Sequence, residues 1–149
     1  MNVELMKRMM DACYLAQRIR GMLPTLPAGV TPAYIHYLDI IETLSRQGIQ
    51  VKVSDISDAL ALPRPGVTRT VKEMEARGYL KKLASPEDGR ITYLTVTPSG
   101  KALSEKYNRQ VFNALSDCME EISEEDVKCT IHTIEQFYQI MCERRINLD

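Results

Sequence analysis

Between positions 64 and 90 the chain sets guanidinium, ammonium and hydroxyl groups where they can grip a polyanion. Val67, Val71 and Met74 fall within about 60° of one another on a 3.6-residue wheel, which makes them the buried face of a helix. Pro65, Thr68, Arg69 and Lys72 then point outward. An arginine in the first turns of such a helix can form a bidentate bond to guanine, and a threonine can offer a hydroxyl or methyl to a base edge. Arg64 and Lys72 suit phosphates, which fix register without reading sequence. Arg90 suits a narrow minor groove, whose negative potential favours guanidinium. Ser54 opens a shorter helix upstream, and two roles stay open for it: capping alone, or capping plus a bond to phosphate. The bland alternative for all of these is a solvated, charged surface.

The elements that position these groups are legible in outline. Thr31-Pro32 is a helix start, and Tyr34, Tyr37, Leu38, Ile41 and Leu44 give that helix an inward face before Gly48 ends it. Val51-Lys52-Val53 reads as a short extended piece. The next helix buries Ile56, Ala59 and Leu60, and Leu62-Pro63-Arg64-Pro65 turns the chain into the basic helix, which stops at Gly78. Two short helices joined by a tight turn form a helix-turn-helix pattern. Tyr79–Ala84 and Ile91–Val96 then read as strands around the turn Ser85-Pro86-Glu87-Asp88-Gly89-Arg90, that is, a wing. Residues 62–101 hold eight basic and four acidic residues, a net +4, which leaves −5 for the remainder of a chain whose total is −1. Polyanions respond to that local field rather than to the total.

Long helices bracket this module. Residues 2–22 are apolar on two lines, Met6-Met10-Cys13 and Leu5-Met9-Ala12-Ala16-Ile19, a pattern that wants burial on several sides. Thr97-Pro98 opens a helix with the stripe Leu103, Tyr107, Val111, Leu115, Cys118 and Ile122. Ser123-Glu124-Glu125-Asp126 starts another, with Val127, Ile131, Ile134, Tyr138 and Met141 inward and Arg144-Arg145 suited to its C-terminal dipole. In a chain of 149 residues, a second subunit is the natural cover for such helices.

Asp88-x-Arg90-x3-Leu94-Thr95-x-Thr97-x2-Gly100 resembles the wing signature of the MarR family, and Val67 to Leu80 resembles that family's recognition helix running into the wing. The arrangement matches along essentially the whole chain, while the specific motifs lie in its middle third. Gly89 stands where the family commonly has another residue, often basic, which puts more weight on Arg90. The resemblance implies a mainly α fold with a small β-wing: a single domain, with a winged helix-turn-helix lobe at about 31–100 and dimerisation helices at about 2–22 and 98–146. It implies a homodimeric regulator, commonly a repressor, on a pseudo-palindromic duplex DNA operator. Asp88 would hold the wing arginines by ion pairing. A small effector would lodge between the dimer helices and the lobe, near Tyr14, Arg18, His36 and Tyr37. One branch of the family senses organic hydroperoxides through a cysteine in the first helix. Cys13 is the matching candidate, with phenols from Tyr34 and Tyr37 as thiolate donors, although it also reads as plain packing. A protein-interaction module that kept the fold without binding DNA is the alternative from another class.

Other classes find little support. There is no apolar run long enough to span a membrane and no secretory leader pattern at the start, so the expected compartment is the cytoplasm. Cys13, Cys118, Cys129 and Cys142 form no CxxC pair. Cys129 and His132 are spaced i, i+3, which is too few ligands for a metal even with His36 elsewhere. No nucleophile elbow, phosphate-binding glycine loop or HExxH motif is present, so the expectation is no enzyme, no metal and no cofactor.

Overall fold

The computed structural model describes residues 1–144 and 146. The elements in order are α1 (Val3–Gly21), α2 (Pro32–Arg46), α3 (Val53–Leu60), α4 (Arg64–Ala76), β1 (Leu80–Ala84), β2 (Thr92–Val96), α5 (Pro98–Ser104), a π-helical turn (Glu105–Gln110), α6 (Val111–Cys118) and α7 (Glu124–Glu143). This is the expected mainly helical architecture with a two-stranded wing. Contacts divide the chain into two units, 1–111 and 112–149.

In the first unit the periodic apolar residues make one core. Leu38 and Ile41 of α2, Ile56 of α3 and the α4 trio Val67, Val71 and Met74 are completely buried, with Tyr34, Val51, Leu80 and Leu94 nearly so. Burying each such side chain contributes about 1.5–3 kcal/mol. Leu44 and Leu60 pack partly against this core, but Ala59, expected inside, is exposed. The single turn between α3 and α4 rotates α3 so that Ser57 rather than Ala59 shares the inward side with Ile56.

Ser57 holds that turn. Its Oγ donates to the Leu62 carbonyl at 2.5 Å, and the Leu62 N–H donates back to the Ser57 carbonyl at 3.0 Å. Between them Ala61 adopts the left-handed conformation, φ 50°, which is costly for a residue with a Cβ and persists because both flanks are fixed. The start of α3 also differs from expectation. Its N-cap is Lys52, whose N–H donates to Asp55 Oδ2 at 2.7 Å, so Ser54 sits inside the first turn and caps nothing. Asp55 wins because, three residues past the cap, its carboxylate both reaches the free N–H and meets the positive end of the helix. Val53 is likewise helical rather than extended, while the Val51 carbonyl accepts the Leu94 N–H at 2.8 Å and ties the wing to the lobe.

The wing strands pair antiparallel, with Leu80 opposite Val96 and Lys82 opposite Leu94. At its base, the Thr97 hydroxyl accepts the Gly100 N–H (3.1 Å) and donates to the Gly78 carbonyl (2.5 Å), capping α5 and binding it to the end of α4. Thr31, in the same Thr-Pro setting before α2, makes no such side-chain bond. Gly100 is buried, and a Cβ there would collide with the Tyr79 carbonyl oxygen. The helix expected from Thr97 onward is interrupted by the π-helical turn. Residues four apart drift about 40° per step on an α-helix. The wider turn offsets that drift, so Leu103 and Tyr107 are both buried and Val111 still packs against the core.

In the second unit, Ser123 Oγ accepts the Asp126 N–H at 3.1 Å and starts α7 as expected. The face Val127, Ile131, Ile134, Tyr138 and Met141, expected inward, is exposed, as is Ile122. Nothing described in this unit covers it. Arg144 is the C-cap of α7, and Arg145 lies outside the described residues. Helix α1 of the first unit also has no buried residue: Met6, Met9 and Cys13 are half-buried, and Leu5, Met10, Tyr14 and Ile19 are exposed. No helix among the described residues is long and apolar enough to cross a membrane.

Two substitutions test these pins. Gly100→Ala is expected to lower unfolding stability by about 1–3 kcal/mol through overpacking against Tyr79, seen as an earlier urea midpoint. Ser57→Ala is expected to cost about 1–3 kcal/mol by leaving the Leu62 carbonyl short of a donor. An unchanged midpoint in either variant would show that the contact carries no strain or no bond.

Candidate nucleic-acid interface

The apolar seam of α4 decides what its other side presents. With Val67, Val71 and Met74 turned into the core, Arg64, Pro65, Arg69 and Lys72 stand exposed and Thr68 half-buried on the opposite side. Among the described residues none of Arg64, Arg69, Lys72 and Arg90 forms an ion pair, so their charges are not neutralised by carboxylates of this chain. Lys82 differs. It lies on the inward face of β1, and its ammonium meets Glu75 Oε2 of α4 at 2.8 Å, bracing the wing against the helix. Of the basic residues counted in this segment, Lys82 is thus used internally. Thr70 is also occupied, its hydroxyl donating to the Gly66 carbonyl at 3.2 Å, so Thr68 is the hydroxyl left on the outward side.

The wing turn is organised by a residue the sequence did not single out. Ser85 is buried, its Oγ accepts the N–H groups of Glu87 and Asp88 (3.3 Å each), and its own N–H donates to the Ile91 carbonyl (2.8 Å). Asp88 holds Arg90 differently from expectation: Asp88 Oδ1 accepts the Arg90 backbone N–H at 3.0 Å, with no ion pair to the guanidinium. Two residues apart in a turn, an aspartate reaches the main chain more readily than the tip of a long side chain. The exposed Arg90 side chain therefore remains unpaired at the tip. Ser54, half-buried in the first turn of α3, stands apart from this set.

The residues expected around an effector differ in their exposure. Tyr14, Arg18 and His36 are exposed, while Tyr37 is buried in the core. His36 has a neighbour in Arg20 rather than Arg18, with Nη2 at 3.4 Å from Nε2. A cleft of about 840 Å³ lies between α2, β2 and the start of the α5 segment and includes none of these four.

Cys13 is half-buried, and of the two phenols expected to serve it Tyr37 is buried in the core and Tyr34 is bonded within its own chain. The Tyr34 hydroxyl donates to Glu73 Oε2 at 3.3 Å, and its ring packs edge-on to Tyr79 at 6.2 Å. Cys118, Cys129 and Cys142 are exposed. The Tyr138 phenol is held above its ordinary pKa by its hydrogen bond to Cys142 one turn on, and by the repulsion between the two anions. Among the described residues no three His, Cys, Asp or Glu side chains are placed to share a metal, and Cys129 and His132 gain no further ligand.

Comparison with known proteins agrees with this geometry. Residues 28–91 match the profile described as the MarR family, a span covering the helix-turn-helix, the first wing strand and the wing turn. The transcriptional repressor MprA of Escherichia coli (strain K12) is 26% identical over 110 residues, 69% of this chain and 62% of MprA. The chain spans about three fifths of the length of the curated relatives it matches, 56% and 62% for two of them. Among solved structures, Streptococcus pneumoniae FabT in complex with DNA superposes with a TM-score of 0.67 at 19% identity, covering 91% of this chain and 98% of that one. A MarR/EmrR family transcriptional regulator from Acinetobacter sp. ADP1 gives 0.69 at 20% identity, covering 97% and 100%. The matching segment holds the buried α4 seam and the wing turn, and the chain shares the fold of these solved winged helix-turn-helix structures, with residues 28–91 similar to the MarR family.

Proposed function

We propose that the chain is a sequence-specific DNA-binding repressor that acts as a homodimer on a pseudo-palindromic operator in the cytoplasm and is modulated by a small effector. The observation that carries this reading is the outward side of α4. Arg64, Arg69 and Lys72 project there without carboxylate partners among the described residues, and Arg90 does the same at the wing tip. In this reading Arg69 and Thr68 read base edges in the major groove, Arg64 and Lys72 hold phosphates beside Pro65, and Arg90 enters the minor groove. The likeness to FabT, whose structure contains DNA, supports the docking mode, and MprA supports the sign of regulation.

Dimerisation accounts for the uncovered apolar helices. The exposed residues of α1 and of the Val127–Met141 face of α7 are too numerous for a monomeric surface and suit a second copy of the chain, all within a single domain per subunit. Two-fold symmetry then places half-sites about 34–36 Å apart, one helical turn.

Selection of bound duplexes from a random pool, followed by salt-controlled titration, tests the assignment. Arg69→Ala is expected to cost about 1–3 kcal/mol on the selected operator and to relax base preference. Lys72→Ala is expected to weaken all duplexes alike and to reduce the salt slope by about one. Wild-type affinity in both variants would remove this side of α4 from the interface. No duplex affinity in the selection would favour a protein-interaction module.

A further inference from the structure

The cleft between α2, β2 and the α5 segment is lined by Asp39, Glu42, Arg46, Thr95, Lys101 and Asn108, among others. Its volume, about 840 Å³, lies in the range of small-molecule sites, roughly 300–1,000 Å³. Its base is a built polar network rather than a hydrated surface. Ser104 is only 3% exposed, and its hydroxyl donates to Glu42 Oε2 at 2.6 Å. Asn108 Nδ2 donates both to Ser104 Oγ and to the Ile35 carbonyl, each at 3.0 Å. One oxygen of the Glu42 carboxylate is thereby fixed, and the other is left without a partner among the described residues. The wall carrying Glu105, Asn108 and Arg109 is the π-helical turn, an arrangement that recurs at functional sites.

The charges around this base are of both signs and do not consume one another. Arg109 pairs with Glu105 at 3.5 Å. Arg46 uses Nε on the Glu42 carbonyl and Nη2 on Thr43 Oγ1, which leaves Nη1. Among the described residues, Lys101 and Asp39 form no ion pair although both line the cleft. A cleft that keeps two anions and two cations unpaired against each other is complementary to a ligand that carries both charges itself.

We propose that this cleft binds a small zwitterion, its ammonium held by Glu42 and Asp39 and its carboxylate by Lys101 and Arg46. The site differs from the surface of Tyr14, Arg18 and His36, where the family resemblance led an effector to be expected. Thr95 ties the site to the wing, since its Oγ1 donates to the Lys81 carbonyl across the strands at 3.4 Å. Occupancy is thus placed to be felt where the DNA-binding reading puts contact. That consequence rests on the DNA-binding reading, while ligand binding itself does not.

The test uses the 149-residue chain without DNA, titrated calorimetrically with the proteinogenic amino acids and dialanine. Any member that binds is then compared with its N-acetyl and C-terminal amide forms. Binding of at least one zwitterion is expected, with each capped form weaker by about tenfold or more, as loss of a charged hydrogen bond implies. Lys101→Met and Asp39→Asn are exposed positions whose folding is checked by an unchanged thermal midpoint. The first is expected to erase the preference for a free carboxylate over the amide, and the second to weaken the preference for a free ammonium over the acetyl form. No heat from any member of the panel, capped forms that bind equally well, or unchanged preferences in both variants would each overturn the proposal. None of these outcomes bears on duplex affinity, which is measured separately.

Discussion

Everything the chain presents outward from its winged lobe depends on the burial of one seam. Val67, Val71 and Met74 are completely enclosed beside Leu38, Ile41 and Ile56, so α4 cannot rotate about its axis without exposing them. Re-exposing three such side chains would cost several kcal/mol at about 1.5–3 kcal/mol each, a large part of what a small domain has in total. The direction of Arg69 and Lys72 is therefore set by side chains on the other side of the helix. Whatever these cations meet thus finds their geometry fixed before contact.

Around the seam, polar groups fasten what apolar packing alone would leave loose. Burial sets depth and facing, but it does not choose among nearby turn conformations. Ser57 closes the turn before α4, Ser85 closes the wing turn, and Thr97 joins the wing base to the end of α4. Tyr34 and Lys82 add bonds to Glu73 and Glu75 on the same helix. Among the described residues no buried side-chain polar atom is left without a partner, which is what keeps these interior bonds favourable rather than costly. The two carboxylates on α4 serve as anchors, and their use leaves the neighbouring cations of that helix uncompensated.

Much of this could be read from residue types. The α4 seam, the Gly78 stop, the wing strands and the Thr97 and Ser123 caps follow from periodicity and local chemistry, because each involves residues within a few positions of one another. Identical local signals nevertheless diverged. Thr31-Pro32 and Thr97-Pro98 look alike, yet only Thr97 caps with its hydroxyl. Ser54 looked like a cap, but Asp55 takes that role from within the helix. Asp88 was placed correctly in the wing, but it bonds the main chain of Arg90 rather than its guanidinium.

The outward cations of α4 and Arg90 were thus determined by the sequence alone, since a 3.6-residue period and a turn motif suffice to assign them a side. Whether those cations stay unpaired was decided only by the tertiary structure, because it depends on where distant carboxylates go. The same holds for Ser57, Ser85 and Ser104. A lone serine in a sequence reads as surface, and it becomes a structural bond only when folding removes water and brings a carbonyl, an amide or the Glu42 carboxylate to its hydroxyl. The π-helical turn belongs to that class too, since the four-residue stripe from Leu103 calls for it only once a fixed core is there to be faced.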